Sequence, residues 1–213
     1  MKSMTQASLL LAALVLAGCA SQKTYDYTNF RAAAPRSILV LPPINESTEV
    51  LGTYGYLSTV THPLAELGYY VFPVAVVDQF LKENGMPTAG EMHQVPLNKV
   101  REIIGADAIL YIILKQYGSK FQLVSSVTTV SAEATLVDVS NGTTLWQGKA
   151  TVQQNPNSSG SFLADMIAAA ITQAINKKTD SAHLVSRTVN AQLFTSTGRG
   201  LLYGPYSARY GSK

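Results

Sequence analysis

The apolar positions of this chain change their spacing from segment to segment, and each spacing predicts an element. Ser37-Ile-Leu-Val-Leu41 is a continuous apolar run stopped by Pro42-Pro43, which predicts a strand buried on both faces. Between Tyr54 and Gly68, Leu57, Val60, Leu64 and Leu67 recur at steps of three and four, the stripe of an amphipathic helix with a glycine stop. Pro63 inside that stretch predicts a kink or a restart. Tyr69–Phe72 reads as a second strand ended by Pro73, and Val76–Gly85 as a short helix with Asp78 near its start and Gly85 past its end. Gly85–Pro96 reads as a loop. Leu97–Ile104 follows as a helix with Leu97, Val100, Ile103 and Ile104 on one face, stopped by Gly105 before a third apolar strand at Asp107–Leu114. Strands separated by helices predict right-handed βαβ crossovers and a parallel beginning.

Beyond residue 114 the pattern changes. Lys120–Asp138 is rich in Val, Thr and Ser with partial alternation, Asn141-Gly142 is a hairpin signal, and Thr144–Val152 returns as a strand. An antiparallel meander closes the sheet. Asn155–Gly160 reads as a loop. Ser161–Phe194 holds neither Gly nor Pro, and its apolar faces run through Phe162, Met166, Ala169, Ala170 and Ala174, then through Ala182, Val185, Val189 and Leu193. The polar stretch from Asn176 to Ser181 predicts two helices or one bent one. The expected fold is therefore α/β: a single mixed β-sheet with a parallel βαβ start and an antiparallel meander, flanked by helices, with C-terminal helices and an aromatic tail.

The N-terminus carries a different kind of signal. Lys2 precedes the apolar run Ala7–Leu16, which leads into Leu16-Ala17-Gly18-Cys19. A basic start, a short apolar core and small residues before the cut describe a secretory signal, too short to span a bilayer as a stable helix. Leu-Ala-Gly-Cys is similar to the bacterial lipobox, which implies cleavage before Cys19, a diacylglycerol on its thiol and a third acyl chain on its amine. Buried acyl chains contribute roughly 0.8 kcal/mol per CH₂, so three make an effectively permanent anchor. Asp after the acylated Cys usually retains such proteins at the inner membrane; Ala20 and Ser21 stand here, so the resemblance implies the outer membrane, with the domain facing the periplasm. The expected organisation is a signal peptide at 1–18, a lipidated N-terminus and linker at 19–35, one globular domain at 36–196 and a Tyr/Arg-rich tail at 197–213.

Composition narrows the chemistry. The net charge of +3 is spread without a basic run, so nucleic acid is not expected as a partner, and a single Cys excludes a disulfide framework or a Cys-rich metal site. His62, His93 and His183 are far apart and have no second ligand type at helical spacing, and no Gly-x-Ser-x-Gly elbow occurs. No catalytic residue, metal or cofactor is expected, and the chain reads as a non-enzyme. Gly198–Gly204 lacks the strand–turn–helix setting of a phosphate loop. Glu46 and Glu49 read as loop charges, and the sequons at Asn45, Asn141 and Asn157 as turns. In the tail, Tyr203, Tyr206, Arg209 and Tyr210 are residue types that carry protein contacts. Two readings stay open there: a strip that wraps its own domain, or a partner contact.

The segments Leu16–Cys19, Ser37–Asn45, His62–Pro73, Gly105–Leu110 and Tyr203–Tyr206 together resemble the bacterial lipoprotein family of the meningococcal surface-antigen type. More distantly, a first strand ending in Leu-Pro-Pro and a helix ending in Gly-Ala-Asp-Ala-Ile are similar to the TolB N-terminal domain, CsgG and LpoB. The resemblance implies a periplasmic scaffold or accessory lipoprotein of an envelope or transport assembly, working through protein contacts and expected as a homodimer. The alternative is a subunit of a CsgG-like secretion channel. Only Phe121–Val130 offers a spare amphipathic strand for that purpose, and it is better used extending the meander.

Overall fold

A computed structural model of the chain describes residues 25–122, 125–154 and 181–212. The first apolar run forms β1 (Ser37–Val40), followed by the short β2 (Ile44–Asn45) and β3 (Tyr70–Val71), and then by three longer strands, β4 (Ala108–Gln122), β5 (Ser125–Asp138) and β6 (Thr144–Gln154). They make one sheet in the order β3-β1-β4-β5-β6, with β2 also paired to β4. β1 runs parallel to β3 and β4, β2 runs parallel to β4, and β4, β5 and β6 form an antiparallel meander. A single mixed sheet flanked by helices is thus the architecture.

Alternation along the strands makes two cores. Ile38, Val40, Leu110, Ile112, Leu136 and Trp146 pack on one side, against α2 (Gly52–Glu66) and α6 (Ser181–Thr195). Leu39, Leu41, Ile109 and Val139 pack on the other, against α3 (Val74–Glu83) and against Met92 and Val100. Between α2 and α6 three polar side chains are buried: Asn190 Nδ2 donates to Thr59 Oγ1 at 2.8 Å, Thr59 Oγ1 donates to the Tyr56 carbonyl at 2.7 Å, and Ser186 Oγ donates to the Ala182 carbonyl at 2.7 Å. Ala182, Val185, Val189 and Leu193 are buried on the expected face of α6. The stripe from Phe162 to Ala174 lies outside the described residues.

The structure departs from the periodicity in five places. α2 continues through Pro63, in its last turns; Leu67 N still bonds to Pro63 O at 3.1 Å, and buried Val60, Leu64 and Leu67 hold that end against the sheet. The expected loop at 85–96 contains α4 (Ala89–Met92), built by a capping box in which Thr88 Oγ1 accepts from Glu91 N, and Glu91 Oε2 accepts from Thr88 N at 2.9 Å. The helix at 97–104 starts as α5 (Leu97–Lys99) and widens into a π-helical turn over Val100–Ile104, which rotates Ile103 outward to 60% exposure.

The fourth departure is at the N-terminus. The end of the expected linker folds as α1 (Thr28–Ala33) and puts Tyr27 and Phe30, one turn apart, into the core; the Tyr27 hydroxyl donates to the Gly200 carbonyl. The fifth concerns the strand expected from Lys120. β4 runs on to Gln122 and β5 starts at Ser125, so Phe121–Val130 is divided between two antiparallel strands and is not one strand. No Gly, Pro or Asn stands there to mark the turn.

Candidate functional site

The tail crosses the end of the sheet at which β1, β3 and β4 begin. Trp146 Nε1 donates to the Arg199 carbonyl at 2.8 Å, and Leu201 and Leu202 are buried. The Leu202 carbonyl accepts from Tyr69 Oη at 2.7 Å, Gly204 N donates to Leu67 O at 2.8 Å, and Tyr206 N donates to Gly68 O at 3.1 Å. Gly204 is required for this approach, because a Cβ there would lie 2.3 Å from the Gly68 carbonyl oxygen.

The four tail residues singled out in the sequence divide into two pairs. Tyr203 packs on the core; Arg209 Nη1 donates to its hydroxyl at 3.0 Å and the guanidinium carbon lies 5.6 Å from its ring centroid. Tyr206 and Tyr210 turn outward, 69% and 57% exposed. Phe30, Tyr69, Leu202, Tyr203 and Tyr210 enclose a cavity of about 240 Å³ with Arg31 on its lining. Burial pushes the Tyr69 phenol well above its ordinary range, so it stays a neutral donor to the tail.

The point where the described chain starts lies on the same side of the molecule. Tyr25 N contacts the Gly198 carbonyl at 3.4 Å, and Tyr25 Oη accepts from Gln147 N, a β6 edge group, at 2.8 Å. Around it Gln147, Lys149, Gln192, Ser196, Arg199 and Glu133 line an open cavity of about 570 Å³. Cys19 itself lies outside the described residues.

At the opposite end of the strands, β6 accompanies β5 as far as Thr128, opposite Ser119, and among the described residues Lys120–Gln122 and Ser125–Val127 project past it as a short arm. β2 pairs with β4 only as far as Leu114, and beyond it Gln116–Gln122 has β5 as its one strand partner. A β-bulge falls at Lys115, whose Nζ sits 2.8 Å from Glu46 Oε2 and 4.0 Å from Glu133 Oε2. Glu46, Glu49, Lys115, Lys120, Tyr117 and Thr129 line a polar cleft of about 690 Å³ beside the arm. Glu46 is therefore a surface ion-pair partner. Asn45 and Asn141 do form turns, each accepting through Oδ1 from the backbone two residues on.

Several residues that organise these ends were not singled out in the sequence. Asp107 Oδ2 accepts from Arg36 N, Ser37 N and Ser37 Oγ at 2.9 to 3.0 Å and ties the start of β1 to β4. The sequence shows it only as part of Gly-Ala-Asp-Ala-Ile, with no role assigned, after Gly105, whose φ of +77° ends the preceding turn. Lys115 has none, because a bulge leaves no mark on composition. Among the described residues, no three His, Cys, Asp or Glu are placed to hold a metal ion. His93 packs edge-on against Tyr111 and contacts the Pro42 carbonyl through Nε2 at 3.0 Å; the carbonyl can only accept, so Nε2 carries the proton. His183 Nδ1 lies 3.2 Å from the Gly55 carbonyl, and His62 is exposed.

A mixed sheet packed by helices on both sides, closed at one end by a folded tail and extended at the other by a hairpin arm, defines the class of α/β domain. The particular family follows from comparison with known proteins. The family described as "GNA1162-like: Putative lipoprotein GNA1162-like" matches residues 25–206, and the chain belongs to it. It is 44% identical over 200 residues to the lipoprotein NMB1124/NMB1162 of Neisseria meningitidis serogroup B, covering 92% of this chain and 93% of that one. The crystal structure of lipoprotein GNA1162 from Neisseria meningitidis superimposes with a TM-score of 0.56 at 48% identity, over 68% of this chain and 100% of that one. The C-terminal domain of LpoB from Salmonella enterica aligns with a TM-score of 0.40 at 21% identity, over 57% of this chain and 84% of that one.

Proposed function

We propose that this protein is an outer-membrane lipoprotein, cleaved before Cys19, acylated on that residue and facing the periplasm, which serves as a non-enzymatic accessory or scaffold component of an envelope or transport assembly. The observation that carries the reading is the pairing of Leu-Ala-Gly-Cys19 with a folded chain already tied down at Tyr25, six residues later. Confinement to one leaflet raises the effective concentration of the domain beside other envelope proteins, and contact surfaces then suffice. Tyr206 and Tyr210 leave one surface exposed to the envelope, lipid or protein, and the β4–β5 arm supplies another for proteins. Membership of a lipoprotein family supports the anchor; the homodimer and the identity of the partners belong to this proposal.

The channel alternative draws less support. β4 extends beyond β2 only over Gln116–Gln122, seven residues, and beyond the row of β6 only over Lys120–Gln122, whereas a membrane strand needs about 9–11. Gln116, Ser119 and Lys120 are polar and exposed on that stretch, which counts against a lipid-facing band there. The test is the mass of the native lipidated protein in mild detergent, by size exclusion with light scattering, together with Cys19→Ser. The proposal predicts a monomer or dimer, and a folded Cys19→Ser domain recovered in the soluble periplasmic fraction. A ring of eight or more copies, or a Cys19→Ser protein still held in the membrane, overturns it.

A further inference from the structure

The distance from anchor to fold limits how the domain can sit on a bilayer. Cys19 and Tyr25 are six residues apart, and six fully extended residues span at most about 22 Å. Tyr25 therefore stays within about that distance of the acylated end. Gln147, to which Tyr25 is bonded, lies in one row of the sheet with Thr135 and Tyr111. From Tyr111 to Gln122 at the end of β4 is eleven residues, about 36 Å at 3.3 Å per residue. With the arm pointing into the headgroups, Tyr25 would be lifted by more than the tether allows, even after the length of the tyrosine side chain is taken off. An arm-down pose is out of reach.

The surface near Tyr25 has the chemistry of a headgroup contact. Arg199 and Lys149 are exposed beside it, and Arg31 on α1 lies with its guanidinium carbon 5.8 Å from the Tyr27 ring centroid. The acidic groups on this side are Asp26, which accepts from Thr28, Asp107, whose carboxylate is taken up by Arg36 N and Ser37, Glu133, which lies across the strands from Lys149, and Glu66, exposed on the last turn of α2. The tail continues the surface along the same end of the sheet, from Arg199 to the α2–β3 turn at Leu67 and Gly68, and there it presents Tyr206 and Tyr210 outward. Arginine, lysine and tyrosine combine an apolar body with a polar tip and are the side chains that settle at a membrane interface.

We infer that the end of the domain formed by Tyr25, Lys149, Arg199 and the exposed tail tyrosines rests on the phospholipid headgroups, with the β4–β5 arm directed away from the bilayer toward periplasmic partners. The inference rests on acylation of Cys19. It names the partner of the tail surface, a bilayer with anionic phosphate headgroups, and leaves the arm as the surface for proteins.

The test uses the lipidated full-length mature protein in phosphatidylethanolamine and phosphatidylglycerol vesicles containing a headgroup nitroxide lipid. Because Cys19 is blocked, an introduced cysteine is the only thiol, and a fluorophore is placed at Gln192→Cys, Ala208→Cys or Lys120→Cys, all exposed positions. Quenching is expected to be at least fivefold stronger at 192 and 208 than at 120. Adding Arg199→Glu and Lys149→Glu is expected to reduce quenching at 192 at least threefold. Equal quenching at the three positions, stronger quenching at 120, or insensitivity to the two charge reversals overturns the orientation. Protection of 208 by a copurifying protein, with 192 unquenched, overturns it in favour of a protein contact. Mass analysis of the N-terminal peptide separates the two levels: an unacylated Cys19 removes the anchor and this inference together, whereas an acylated chain with equal quenching removes the orientation alone.

Discussion

Replacing Leu201 by alanine measures how far the tail is part of the fold. The side chain is fully buried, at 0% exposure, beside the Trp146, Phe194 and Leu193 cluster, and its backbone N donates to the Phe194 carbonyl at 2.8 Å. Leu→Ala at a site of this kind costs about 2–5 kcal/mol, the lost transfer energy plus the cavity left behind, and a value of about 3 kcal/mol is expected here. For a domain of this size each kcal/mol moves Tm by about 2–4 °C, so the midpoint should fall by about 6–12 °C. The assay is calorimetry on the mature chain carrying Cys19→Ser, with Tyr206→Ala as the comparison. Tyr206 is mostly exposed, and its truncation should stay within about 0.5 kcal/mol of the parent. If Leu201→Ala also stayed within that range, the tail would be a loosely held strip and the reasoning from its burial would be wrong.

Other consequences are equally direct. The Tyr56 hydroxyl is buried, burial pushes its phenol far up, and it has no hydrogen-bond partner among the described residues, so Tyr56→Phe should be neutral or stabilising by about 1 kcal/mol in a denaturant titration. A clear loss of stability would reveal a bond that the hydroxyl makes. Asp107→Ala leaves two backbone N–H groups and the Ser37 hydroxyl without their acceptor and should cost about 2–3 kcal/mol; an unchanged midpoint would show that this carboxylate does not hold β1 to β4. Burial holds the His93 imidazole below its ordinary 6.5, while the hydrogen bond to the Pro42 carbonyl pulls it upward. The unfolded chain therefore takes up that proton first, and stability falls as pH drops from 6.5 through the lower folded value. His93→Phe should flatten the acid limb of stability between neutral pH and that value, and an unaltered slope would contradict the assignment.

Most of the sheet was legible because its signals are local. The run at Ser37, the stripe on α2 and the Asn141-Gly142 turn each carry their own period or turn chemistry, and the family resemblance drew on the first of them together with Leu16–Cys19, His62–Pro73, Gly105–Leu110 and Tyr203–Tyr206. α4 falls where the sequence reads as loop: Thr88 and Glu91 stand at capping-box spacing, but four residues are too few for periodicity to register. What could not be read depends on partners distant in the chain. Tyr27 looks like a linker residue until Gly200 is placed beside it, and Trp146 is an ordinary strand residue until its indole meets the Arg199 carbonyl. The hairpin at the end of β4 was hidden because apolar and small polar residues run through it without a turn former. The tail showed its residue types but not their division, since only the fold decides that Tyr203 packs inward while Tyr206 and Tyr210 face out.

Everything proposed for this protein depends on what is attached to Cys19. Intact-mass spectrometry of the mature protein, purified from membranes of the cells that make it, measures this in one step. The account predicts a chain that begins at Cys19 and carries the mass of a diacylglycerol plus one further acyl chain. A chain that retains residues 1–18, or one that begins at Cys19 with a free thiol and amine, would contradict it.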